Sequence, residues 1–283
     1  MSSNQFPSRH RVANLGFVGL TWMTGLVGIL VPLVIGIHLL AHGGIVFDPG
    51  FLFDRPRGSP LGSEGGIFPA ISGSFFLVAI GLLVALPSAV GAAVYLTEFA
   101  KSPGFIRTAR LIIESLAAVP SIIFGLFGFA FIVVALELGT SLLAGSLVLA
   151  MVMFPIILIT AQEAFDAVGP EFREASLSLG VDRTEWVFRV LMPKSGRRIL
   201  AGVVLAVGHA MGSAAPVLFT ASVFYSRGQI QLDQPVMTLP THLYFLVSEG
   251  VSYEYAYGTA AVLVFGLLAF NSAAMWLRKV FQE

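Results

Sequence analysis

Long apolar runs dominate this chain, with polar residues gathered between them. Six stretches carry about 20 apolar residues with few charges, the length a helix needs to cross a bilayer with every backbone amide bonded inside its own segment. They run from Leu15 to Leu40, Ile67 to Thr97, Ser115 to Leu136, Thr140 to Gln162, Ile199 to Phe224 and Tyr257 to Val280. The expected fold class is therefore an all-α integral membrane protein with six transmembrane helices. One interior proline falls in each of spans two to five (Pro87, Pro120, Pro155, Pro216), and each should interrupt its helix and free a carbonyl that a neighbour or cavity water must satisfy. In span five, Gly208 and Gly212 have G-x-x-x-G spacing, with Ala206, Ala210 and Ala214 as a second row, and predict a close seam with another helix.

Composition removes the soluble alternative. With 56% hydrophobic and 11% charged residues and a mean hydropathy of +0.87, 283 residues hold more apolar side chain than one soluble core can hide. Basic and acidic residues balance at 16 each, so net charge points to no nucleic acid or acidic partner. Without cysteine there is neither a disulfide nor a thiolate metal site. The first run is too long for a signal-peptide core, and no A-x-A site follows it. Charge distribution is more telling. All 16 basic residues except Arg55, Arg57 and Arg227 lie before span one, between spans two and three, between four and five, or at the end of six. The positive-inside bias then places both termini, including residues 1–14, in the cytoplasm. Outer loops at 42–66 and 226–255 carry Gly, Pro and acidic residues and are open to a partner or to water.

The connection between spans four and five departs from a plain tether. From Glu163 to Arg198 it is far longer than a usual loop and carries helix signals of its own. Gly169-Pro170 opens a short amphipathic helix, with Phe172, Ala175 or Ser176, and Leu179 on one side and Glu171, Arg173 and Glu174 on the other; Gly180 closes it. Asp182 supplies an N-cap oxygen for a second helix, and Glu185 stands where a capping box would reach back. Trp186, Val187, Val190 and Leu191 form its apolar stripe, and Pro193 should stop it. A folded, exposed protrusion of this kind suggests docking.

The order Glu174-Ala175, Gly180, Leu191-Met192-Pro193 resembles the EAA loop of binding-protein-dependent ABC importer permeases, with Ser176 in place of the second alanine. That resemblance implies a type I ABC importer permease fold in which Glu171, Glu174, Ala175, Gly180, Asp182, Glu185 and Pro193 belong to a loop docking on an ATPase subunit. The ATPase is a separate polypeptide: none of Lys101, Lys194 and Lys279 follows a glycine, so no phosphate-binding loop exists here. No catalytic residue, metal or cofactor is expected on this chain, with ATP and Mg on the partner. The first helix and outer loop occupy 15–64, and a permease core at 65–280 carries the coupling loop at 163–198.

Further stretches are similar to the PstA-type permeases of phosphate importers: "GGIFPAISGS" at 65–74, "AAVYLTEFA" at 92–100, "ESLAAVPSIIFGLFG" at 114–128, "APVLFTAS" at 215–222 and "LPTHLYFLVSEG" at 239–250. The resemblance implies a second homologous permease, an ATP-binding subunit dimer and an extracellular or periplasmic phosphate-binding protein as partners, in a bacterial inner membrane. Where those permeases usually read G-R-A-x-G-E-T-A-P, this chain reads "GHAMGSAAP" at 208–216, with His209 for arginine and Ser213 for glutamate. A guanidinium holds an oxyanion at any pH, and histidine only when protonated. His209, Ser213, Ser121, Pro120 and Pro216 are the candidate pathway residues. Glu114 is expected to pair with Arg110 one turn earlier. The alternatives are the same machine for phosphonate, molybdate or sulfate, or a non-ABC secondary carrier or membrane scaffold. Neither H-E-x-x-H nor G-x-S-x-G is present to suggest a hydrolase.

Overall fold

The protein is described here from a computed structural model covering residues 8–225 and 230–280. Residues 1–7 of the N-terminal segment, Arg227 in the outer loop and residues 281–283 lie outside that range. Helix α1 (Ser8–Gly43) leads into a short cap made of α2 (Pro49–Phe53) and a two-residue hairpin, β1 (Pro56–Arg57) against antiparallel β2 (Glu64–Gly65). Then come α3 (Phe68–Val94), α4 (Pro103–Ala117), α5 (Ser121–Gly128), α6 (Leu142–Asp166), α7 (Pro170–Ser178), α8 (Arg183–Trp186), α9 (Met192–Gly212), α10 (Ala214–Thr220), α11 (Leu239–Ser248) and α12 (Tyr253–Val280). Three π turns extend helices, at Tyr95–Phe99, Phe129–Ala135 and Val187–Leu191.

The first, second, fourth and sixth spans are single helices long and apolar enough to cross a membrane, and two bent pairs complete six crossings if each counts as one span. α6 is the hub. It packs between α3 and α9, and two thirds of its apolar window is buried. Small residues set these approaches: a Cβ on Gly81 of α3 would stand 2.9 Å from the Ser146 carbonyl oxygen of α6. By contrast α1 touches mainly α12, and none of its apolar window is buried. Such a helix needs lipid as its solvent. The cap closes one end of the bundle with Phe51, Ile67, Met237 and Leu239 in one cluster. The Asp48 carboxylate caps α2 by accepting from Phe51 N–H at 2.6 Å.

Proline behaves differently at its four positions. Pro87, on an exposed face of α3, and Pro155, buried in α6, both sit inside unbroken helices, so the expected interruptions do not occur there. Span three is not the single helix expected from Ser115 to Leu136. Pro120 itself stands off helical geometry with ψ 135°, and α4 meets α5 at 95° across the break. α4 begins at Pro103, behind a Ser102 cap that accepts from Phe105 N–H at 3.4 Å. Span five breaks at 61°, at Ser213, three residues before Pro216, because the proline ring clashes with the carbonyl of Gly212 and lacks the N–H to bond it. Helix also ends at Thr220, short of the expected Phe224.

Candidate docking and translocation sites

The long insert folds much as its pattern predicts, up to its last residue. Gly169 (φ +86°) and Gly180 (φ +77°) bracket α7, both in the left-handed region where a side chain is strained. Asp182 caps α8 by accepting from Thr184 N–H at 3.2 Å, and this bond, helped by Arg183, holds its carboxyl below the usual value. The capping box does not form. Glu185 pairs instead with Arg189, one turn on, at 3.0 Å. Nor does Pro193 stop the helix: a π turn over Val187–Leu191 precedes it, Met192 N–H bonds the Val187 carbonyl, and Pro193 enters the first turn of α9, where no N–H is needed. Helix is therefore continuous from Arg183 to Gly212, and the second half of the insert is the foot of span five.

Burial divides the insert into inward and outward faces. Trp186, Val187 and Leu191 are buried in the main core. Glu171, Glu174, Ala175, Gly180, Asp182 and Pro193 are exposed, and Glu185 is half-buried. Phe172, Leu179 and Phe188 are exposed beside them, Leu179 by 83%, an apolar set on an otherwise polar protrusion. Two contacts tie α7 to the bundle. Arg173 approaches the buried carboxylate of Glu98 at 3.1 Å, an ion pair in which no N–H is aimed well enough to give Glu98 Oε2 a hydrogen bond. Lys194 Nζ lies 3.7 Å over the Phe172 ring. Arg110 reaches Asp166 at 3.9 Å, not the expected Glu114.

The candidate pathway residues do not share one cavity. Ser213 is buried and donates to the His209 carbonyl at 2.7 Å. Its hydroxyl lines a cavity of about 10 Å³, room for roughly one water, with Ser74 and Thr238 as the other hydroxyls. Ser74 Oγ accepts from Leu239 N–H at 2.8 Å, which brings α3, α9 and the start of α11 to one uncharged polar point. The His209 ring lies elsewhere, on the exposed face of α9 with Leu205 and Gly212. Pro120 and Ser121 begin α5, the first exposed and the second half-buried, and Pro216 is buried. A Cβ on Gly125 would stand 2.7 Å from Pro216 Cα, so the two bent spans cross backbone on backbone. Gly208 and Gly212 do not make the expected seam: the nearest atoms to a Gly208 Cβ are 3.7 Å away on Asn271, and a Gly212 Cβ would meet nothing within 4 Å. The seam of α9 is at Gly202, against Thr160 of α6, with Ala206 and Ala210 buried above it.

Residues 89–283 match the family described as the binding-protein-dependent transport system inner membrane component. The chain belongs to that family. This permease is 32% identical over 278 residues to the probable ABC transporter permease protein YqgI of Bacillus subtilis, covering 91% of this chain and 93% of that one. It is also 32% identical to the probable phosphate transport system permease protein PstA of Methanocaldococcus jannaschii, over 83% of this chain and 80% of the relative. Among solved structures, a bacterial ABC transporter involved in import of the polysaccharide alginate superposes with a TM-score of 0.66 at 14% identity, over 97% and 98% of the two chains. The inward-facing MetNI methionine transporter gives 0.59 at 18%, over 76% and 93%. The fold is that of an ABC importer permease.

Residues of the permease that sequence reasoning passed over include Glu98, Gly125 and His242. Glu98 lay inside a quoted motif, but only folding brings it to Arg173. His242 of α11 is 3% exposed with Nδ1 unpartnered, and burial pushes its pKa down to about 4, so the ring is neutral near pH 7. A neutral buried histidine leaves no periodic trace.

Proposed function

We propose that this permease is one of two membrane subunits of an ATP-driven importer of inorganic phosphate. The observation that carries this reading is the insert: an exposed apolar and acidic docking surface whose second helix continues without a break into span five. An ATPase dimer binds this surface on the cytoplasmic side, which puts both termini in the cytoplasm of a bacterial inner membrane. ATP and Mg stay on that partner, and a binding protein delivers the anion to the cap at the other end. Closure of the ATPase dimer moves α8, and α9 moves with it, biasing the bundle between inward-facing and outward-facing states. The PstA relatives supply phosphate as the cargo. Membrane lipid surrounds α1.

A second reading keeps the machine and changes the oxyanion to phosphonate, molybdate or sulfate. It is favoured by the exposed His209 and buried Ser213, which leave no permanent cation at the bend of span five. The test is uptake by proteoliposomes holding the assembled complex and its binding protein. Radiolabelled phosphate should accumulate only with internal ATP, and the unlabelled oxyanions should not compete. Competition by one of them identifies that cargo instead, and ATP-independent uptake removes the import reading. Uptake unchanged in an intact His209→Ala complex takes His209 off the pathway.

A further inference from the structure

At the insert end of the bundle, α6 and α9 part from their close approach at Gly202 and Thr160 and leave a wedge of about 720 Å³. Its walls are single helix faces: Thr160, Glu163 and Ala164 on α6 with its C-cap residue Ala167, and Lys194, Arg197, Arg198 and Ala201 on α9, each at the i, i+3, i+4, i+7 spacing that stacks side chains on one side. Phe172 of α7 lies at its foot, with Lys194 over the ring. Three cations therefore face one carboxylate, Glu163. Among the described residues no ion pair engages Lys194, Arg197 or Arg198.

We propose that this wedge binds the phosphate group of an anionic molecule. Two adjacent guanidiniums present planar donor forks matched to phosphate oxygens, and Lys194 adds a point charge held by an aromatic face. Apolar residues above, Ala164, Ala201 and Leu205, suit a glycerol or acyl stem. The volume falls within the usual range of ligand sites and far exceeds one hydrated ion's need. Basic pockets between spans at a cytoplasmic surface take anionic lipid headgroups. Free phosphate is the other source of the same chemistry. The exposed face of α9 carrying Arg198 also carries His209, about 17 Å farther along the axis at 1.5 Å per residue. The wedge's cytoplasmic placement rests on the proposed import function; its charge and shape do not.

The assembled permease and ATPase complex, in nanodiscs of phosphatidylcholine with or without phosphatidylglycerol, separates the sources. Native mass spectrometry reads retained phosphatidylglycerol, and equilibrium binding of radiolabelled inorganic phosphate in pure phosphatidylcholine discs reads the free anion. Wild type should hold at least one probe. Arg197→Gln combined with Arg198→Gln should weaken that binding about tenfold or more, since two charge-assisted bond sets are lost. Glu163→Gln should strengthen it, a gain that misfolding cannot produce, while Arg107→Gln, outside the wedge, leaves it unchanged. Wild type that holds neither probe, or an Arg107→Gln loss equal to the double variant's, overturns the proposal. Failure of phosphate uptake with this binding pattern intact sinks the import reading alone, and ATP-driven uptake with neither probe bound sinks the wedge alone.

Discussion

The two halves of the insert are attached to the bundle in different ways. α7 hangs between two left-handed glycines and is tied down by side chains, Arg173 on Glu98 and Phe172 beneath Lys194. α8 is joined through the backbone, and Trp186 at its end with Val187 and Leu191 of the following π turn sit at 2%, 3% and 1% exposure in the same core as α6. A side-chain tether can be remade by a few rotamer changes, whereas a continuous helix with a packed core moves only as a body. The difference teaches that a displacement of α8 carries span five with it, while α7 is the half able to shift by itself.

The strongest way to break this contrast is Trp186→Ala. Emptying the site of a buried indole should cost about 3–5 kcal/mol, read as a large drop in the thermal midpoint of the purified complex together with lost coupling of ATPase activity to uptake. Trp186→Phe sharpens the point. Its indole N–H has no partner, so most of the stability should survive; an equal loss would mean that shape alone, not burial, holds the joint.

Arg173→Ala comes next, at about 2 kcal/mol, because it leaves the buried Glu98 carboxylate without its cation. The figure sits below that of a fully buried pair because the Arg173 side chain is 40% exposed. Adding Glu98→Gln should restore much of the midpoint; no recovery would show that the pair does not tether α7. Gly180→Ala should cost about 1 kcal/mol through its φ of +77°, and should weaken ATPase pull-down more than it lowers the midpoint, since a Cβ there meets nothing in the permease itself. The smallest effect is Phe172→Leu, about 0.5–1 kcal/mol from the lost ring face, detectable in a double-mutant cycle with Lys194→Gln.

Much of this contrast was legible in advance. Gly169-Pro170, Gly180 and Asp182 mark helix ends by local backbone chemistry, and the structure puts the ends there. The inward stripe of Trp186, Val187 and Leu191 follows from helical spacing alone. Pro193 misled because the rule that proline ends a helix presumes an α-helix before it; the π turn moves Pro193 into a first-turn position. Pro87 and Pro155 misled for the opposite reason: Pro155 is held by packing in the most buried helix and Pro87 lies on an exposed face of α3, and in both long helices the remaining bonds outweigh the one lost. Glu185 chose Arg189 over the cap, and Arg110 chose Asp166 over Glu114, because exposed charges take whichever partner the fold brings near.

Sequence by itself determined that this chain lives in lipid, crosses it with six apolar segments and carries a folded insert on its basic side, because hydropathy, caps and breakers act over a few residues at a time. Only the tertiary structure decided which bends are real, that Gly125 crosses Pro216 and Gly202 meets Thr160, and that Glu98 holds Arg173. Those are contacts between residues distant along the chain, and a local pattern holds no information about which helix will arrive opposite it.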